Sequence, residues 1–169
     1  RCHVSARNHL STLKFKSKET HHFVDAFFYF YDMKQLNNIL IPGKHGKPIV
    51  TDVIFHENQV PKPIVIFVHG YKGFKDWGAW NLMAAEFVNV GFCFVKFNFS
   101  HNGGTPEQPI DFPDLDAFGN NNYTKELDDI GTVLDWIEGV TEWQNEVDTQ
   151  AIYLIGHSRG GGMVLLKAN

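Results

Sequence analysis

The chain has 169 residues, of which 43% are hydrophobic and 20% charged, the proportions of a globular domain with a core. Its 15 basic and 19 acidic residues leave a formal net charge of -4, without the basic stripe that nucleic-acid binding needs. Two cysteines, Cys2 and Cys93, are too few for a disulfide framework, and no apolar run approaches the roughly 18–20 residues of a membrane span.

Residues 1–32 mix Arg1, Arg7, Lys14, Lys16 and Lys18 with the aromatic run Phe27–Tyr31. Asp25 interrupts the apolar stretch and no small-residue cleavage site follows, which speaks against a secretory signal. Met33 is the expected start of the native protein, residues 1–32 are expected to be a non-native or disordered extension, and a cytoplasmic location is expected. Asn38–Ile41 and Ile49–Phe55 read as strands joined by the hairpin connection Pro42–Pro48. The glycines and lysines of that connection lack phosphate-loop spacing, with Pro48 where Ser or Thr is needed.

Ile64–Val68 is a continuous β-branched and aromatic run, the pattern of a strand buried on both faces. Trp80, Met83, Ala84, Phe87 and Val88 recur at helical spacing up to a stop at Gly91. Phe92–Phe97 is the next strand, followed by a long polar segment from Asn98 to Tyr123. Thr124 is the expected N-cap of a second helix, with Glu126, Asp128 and Asp129 in its first turn and Leu127, Ile130, Leu134 and Ile137 as its apolar stripe. Ala151–Ile155 is a short strand. Strand and helix alternate from Ile64 onward, which predicts a parallel sheet with crossover helices.

The chemistry concentrates at Gly156-His157-Ser158-Arg159-Gly160. A strand leads in and Met163–Leu166 follows at the start of a helix, the context in which a serine is lifted clear of a sheet as a nucleophile. Gly156 and Gly160 remove side chains that would collide in so tight a turn. Ser158 is the expected nucleophile, and the backbone N–H of Arg159 an expected oxyanion donor. His69-Gly70-Tyr71-Lys72-Gly73 follows the strongest buried strand, where the second donor of such a site arises; the N–H of Tyr71 is the candidate, and its phenol either lines the pocket or adds a hydrogen bond. His69 precedes the serine and reads as structural rather than as the base. Asp111, Asp114 and Asp116 fit no calcium-loop spacing, so no metal is expected. His101, Phe112 and Phe118 are candidates for the substrate pocket.

Three segments carry a family resemblance: His69–Gly73, Lys96–Gly104 and Gly156–Gly161. From about Asn38 to Ala168 the chain resembles the N-terminal part of an α/β-hydrolase, most similar to bacterial members of the dienelactone hydrolase and small-esterase type. The middle segment departs from the usual turn at Lys96, Ser100 and His101. The resemblance implies an α/β fold, a three-layer α/β/α arrangement around a mostly parallel sheet, here expected to stop after the helix that follows Ser158. It implies hydrolysis of small-molecule carboxylic esters through an acyl-enzyme, without a cofactor. The family's triad acid and histidine lie after later strands, and no position here matches them, so this chain alone is expected to be inactive. A serine aminopeptidase-like or acyltransferase relative, or a non-catalytic binding protein on the same fold, stays open.

Overall fold

The turn at residues 43–47 folds the chain back into an antiparallel hairpin of β1 (Met33–Pro42) on β2 (Pro48–His56). These are the first elements of the computed structural model, which describes residues 33–168; the expectation for residues 1–32 lies outside the described residues. Both strands are longer than the sequence pattern predicts. Asn38, expected to open the first strand, instead sits inside β1 at a register shift between Leu36 and Ile39, with a left-handed φ of 55°. Its N–H, freed from the ladder there, donates to Asp52 Oδ1 at 2.8 Å. Asparagine tolerates that conformation better than most side-chain-bearing residues, and a bulge is where it is needed.

β3 (Lys62–Val68) has six of its seven residues buried. Helix α1 (Trp80–Asn89) ends at Val90, and Gly91 follows with φ 94°. β4 (Cys93–Asn98) is buried throughout. The polar segment expected as loop contains a short helix, α2 (Leu115–Gly119), because Asp114 accepts the Ala117 N–H and supplies an N-cap. Helix α3 (Tyr123–Glu138) starts earlier than expected. Asn122, not Thr124, is the N-cap: its backbone is extended and its side chain accepts the Lys125 N–H at 3.0 Å. Of the three acids expected in the first turn, only Glu126 lies there. A 3-10 turn (Gln144–Glu146), β5 (Val147–Gly156) and α4 (Arg159–Lys167) complete the described residues.

The five strands lie in the order β1-β2-β4-β3-β5. β3 pairs in parallel with both β4 and β5, whereas β2 pairs antiparallel with β1 and β4. Strand alternation divides the core into two. On one face Val53, Ile64, Ile66, Val68, Val95 and Phe97 pack with Ile130, Val133 and Ile137 of α3 and Met163 of α4. On the other, Ile54, Val65, Phe67 and Phe94 pack with Ala84 and Val88 of α1. Helices thus cover both faces, the three-layer arrangement. No helix among the described residues is long and apolar enough to cross a membrane.

Candidate active site

β3 and β5 run in parallel with Val68 opposite Gly156, so the segments that follow them emerge together at one edge of the sheet, the edge where open α/β sheets bind ligands. The turn after β5 is held against β3. The His157 N–H donates to the Val68 carbonyl at 3.0 Å, and a Cβ on Gly160 would lie 2.2 Å from that same oxygen. A Cβ on Gly156 would lie 2.3 Å from the Gly160 carbonyl oxygen. Both contacts exclude any side chain, as the Gly-x-Ser-x-Gly spacing predicts.

Ser158 occupies φ 54°, ψ -118°, a sparsely populated conformation for a residue with a side chain, of the kind that costs about 1–3 kcal/mol. It is exposed, and its hydroxyl caps no backbone group of α4. Gly160 and Gly161 N–H groups bond back to His157 and Ser158, starting the helix immediately. The Arg159 N–H, at the helix start, has no backbone acceptor among the described residues, as the first N–H groups of a helix generally lack one.

The loop after β3 meets this turn: a Cβ on Gly70 would sit 3.0 Å from Ser158 Cβ. The Gly73 N–H donates to the Gly70 carbonyl at 3.0 Å, and Lys72 takes φ 56° inside the tight loop. The Tyr71 N–H, like that of Arg159, has no acceptor among the described residues. His69 is buried. Its Nδ1 lies 2.8 Å from the Gly70 carbonyl, while the Phe99 N–H donates to its Nε2 at 3.4 Å. Both ring nitrogens are therefore occupied by backbone, and burial pulls the pKa down to about 4. This is a neutral structural histidine.

Buried polar groups fasten the far side of the same loop. Asp52 of β2 and Lys96 of β4 are cross-strand neighbours on the α1 face. Lys75 reaches Asp52 at 2.6 Å and Asp76 at 2.5 Å; Lys96 reaches Asp52 at 2.9 Å and also pairs with Asp76. Burial pushes the Asp76 carboxyl up, but hydrogen bonds and charge from Lys75 and Lys96 outweigh it and hold the group below its ordinary value. The Lys75 N–H donates to Asn98 Oδ1 at 2.7 Å, tying the loop to the end of β4.

Side chains of the loop after β3, the start of α3 and the first turn of α4 form a mixed aromatic and cationic wall. The Arg159 guanidinium lies 4.2 Å from the Tyr123 ring centroid and 6.0 Å from that of Tyr71. With Gly162, Met163 and Leu166 these residues line an open cleft of about 510 Å³. The Tyr71 ring is 5.6 Å from that of Phe118, which is 5.3 Å from Phe112. Tyr71, Arg159, Phe112 and Phe118 are thus brought together. His101 is placed elsewhere: it is buried, with its Nδ1 2.9 Å from Ser100 Oγ and its ring 6.2 Å from His45. Burial and the charges of Lys125, Lys47 and His45 lower its pKa. Asp114 pairs with Lys47 besides capping α2. Among the described residues no group of three or more His, Cys, Asp and Glu is placed to hold a metal.

Sequence patterning misses two acids that matter at this edge. Glu126 is 3% exposed and accepts Arg159 Nε at 2.8 Å. Asp129 is 1% exposed and accepts the Ser100 N–H at 2.8 Å; burial raises its pKa to about 6. Both read in sequence as first-turn acids favoured by the helix dipole, because the expected cap at Thr124 places them there.

No protein-family model matches the chain, and no curated protein matches its sequence. Solved structures do match. Est1E from Butyrivibrio proteoclasticus, determined with ferulic acid bound, superposes with a TM-score of 0.60 at 20% identity, over 77% of this chain and 46% of that one. A structure described as a proposed dienelactone hydrolase from Klebsiella pneumoniae gives 0.59 at 19% identity, over 80% and 54%. Esterase Est22 gives 0.62 at 16% identity, over 90% and 46%.

The chain has an α/β-hydrolase fold. It spans about half the length of the α/β-hydrolase structures it matches. In this fold the segments after β3 and β5 are the ones that stand at the ligand-binding edge of the sheet, and here they are His69–Gly73 and Gly156–Gly160.

Proposed function

We propose that the protein is a serine hydrolase acting on small-molecule carboxylic esters through an acyl-enzyme. The observation that carries the reading is Ser158 held at φ 54°, ψ -118° between a parallel strand and a helix, with glycines at each point of backbone contact. Strain of this kind persists where surrounding structure enforces it, and here it leaves the serine exposed at the end of the sheet. Ser158 attacks the ester carbonyl, and the N–H groups of Tyr71 and Arg159 hold the resulting oxyanion. Their lack of other acceptors supports that assignment. The ring cluster of Tyr71, Phe118 and Phe112 is assigned to the acyl or alcohol part of the substrate. The general base and its orienting acid come from residues outside those described. The ester-hydrolysing neighbours in the same fold support the substrate class.

The test is labelling of the complete gene product with a fluorophosphonate, alongside turnover of short aryl esters. The expected result is one covalent adduct, mapped to Ser158, with adduct and turnover both abolished by Ser158→Ala. Turnover that survives Ser158→Ala overturns the reading. Transfer of the acyl group to an added amine in preference to water would move the assignment to an acyltransferase.

A further inference from the structure

Ser158 begins its helix without the usual devices. Its side chain accepts no capping hydrogen bond, and α4 carries no acidic residue in its first turn. Those are the features that ordinarily fix a helix N-terminus. What replaces them is a side chain one residue on. Arg159 is anchored by Nε to Glu126 Oε2 at 2.8 Å and lies over the Tyr123 ring at 4.2 Å. Glu126 is buried on α3, and its other oxygen accepts Asn121 Nδ2 at 2.8 Å. The chain Asn121–Glu126–Arg159 therefore joins the N-terminal end of α3 to the peptide that follows the serine.

An apolar contact could pack these two helices as well as a buried ion pair, which must overcome the desolvation of both charges. What a guanidinium on a fixed carboxylate adds is direction, since its Nε–H lies in the rigid plane of the group and reaches Glu126 Oε2 from a narrow range of orientations. The fixed object is the first residue of α4, whose own N–H has no acceptor among the described residues. We propose that Glu126 and the Arg159 side chain form a positioning pair that orients the Arg159 backbone N–H toward the reacting carbonyl oxygen. This rests on the reading of Ser158 as nucleophile. Neither side chain need touch substrate to have this effect. Misplacing a donor by about 1 Å can cost on the order of a hundredfold in rate.

The test compares Glu126→Ala, Glu126→Gln and Arg159→Lys in the complete gene product. Three readouts are taken: kcat and KM for an aryl ester, the affinity of an aryl boronic acid that forms a tetrahedral adduct with the serine, and the melting temperature. Glu126→Ala is expected to lower kcat by roughly 10- to 100-fold with KM within about twofold, and to weaken the boronic acid by a matching factor. Glu126→Gln keeps an acceptor for Nε and is expected to recover most of both. Arg159→Lys, which keeps the charge but not the fork, is not. A role in stability alone predicts a lower melting temperature with kcat and boronic-acid affinity unchanged in the folded fraction, and that result overturns the pair. Fluorophosphonate labelling in the same samples separates the two levels. An unchanged labelling rate at Ser158 in every variant overturns the pair and leaves the nucleophile standing. No labelling of the wild-type protein overturns both.

Discussion

Two consecutive N–H groups just past β4 end on titratable side chains of opposite habit. Phe99 donates to the imidazole of His69, and Ser100 to the carboxylate of Asp129. Burial lowers the histidine from 6.5 to about 4 and raises the aspartate from 3.8 to about 6. Between pH 4 and 6 the unfolded chain has a charged histidine where the folded one has a neutral ring, so this group adds stability as pH rises. Over the same window the folded aspartate keeps a proton that the unfolded chain has lost, so that group subtracts stability as pH rises. Each slope is roughly 1.4 kcal/mol per pH unit, and the two oppose each other. Asp129→Asn keeps an acceptor for the Ser100 N–H and removes the titration. The variant is expected to unmask the histidine: between pH 4 and 6 its unfolding free energy rises by about 2–3 kcal/mol more than that of the parent. Urea unfolding at four pH values checks it, and parallel profiles for the two proteins would contradict it.

Elements are joined at this edge by charge as much as by apolar packing. The hydrophobic periods predict β2, β4, α1 and α3, because a strand or helix face is written locally in the residue spacing. Asp52, Lys75, Asp76 and Lys96 carry no such signal. Asp52 and Lys96 meet only through the antiparallel register of β2 on β4, which local spacing does not encode. The partners of Glu126 and Asp129 were not legible for a related reason: Arg159 and Ser100 lie 33 and 29 residues away and meet them only through tertiary packing. The need for Gly156 and Gly160 was legible, since both are demanded by backbone contacts within a few residues and by one strand neighbour. The Asp52–Lys96 linkage predicts a particular non-additivity. Lys96→Met leaves two carboxylates facing one lysine in the interior and is expected to cost about 3–5 kcal/mol. Asp52→Asn together with Lys96→Met removes both members of one pair, keeps an acceptor for the Asn38 N–H, and is expected to cost clearly less than the sum of the single changes. A double-mutant cycle by denaturant unfolding measures the coupling, and additivity within about 0.5 kcal/mol would show that the two charges do not act as a pair.

At the scale of the molecule the question is what the described residues can do by themselves. The strained serine, the N–H groups of Tyr71 and Arg159 and the aromatic wall are all present and held by short-range contacts. No histidine among the described residues is hydrogen-bonded to the Ser158 hydroxyl. His69 spends both nitrogens on backbone, His101 faces Ser100 and His45, and the His157 ring lies 5.0 Å from Trp80. A serine hydroxyl without a base is a weak nucleophile at neutral pH, and removal of a triad member can lower turnover roughly a millionfold. On the proposed acyl-enzyme reading, a polypeptide of these 169 residues is expected to hydrolyse aryl esters at least about 10⁴-fold more slowly than a form of the protein that supplies a base, compared at equal folded concentration. Its residual rate, if set by the oxyanion donors alone, should respond to Gly70→Ala, which crowds the serine, and scarcely to Ser158→Ala. Turnover within about a hundredfold of that form, abolished by Ser158→Ala, would place a working base inside these residues. His157 would then be the first side chain to replace, since it is exposed and adjacent to the serine.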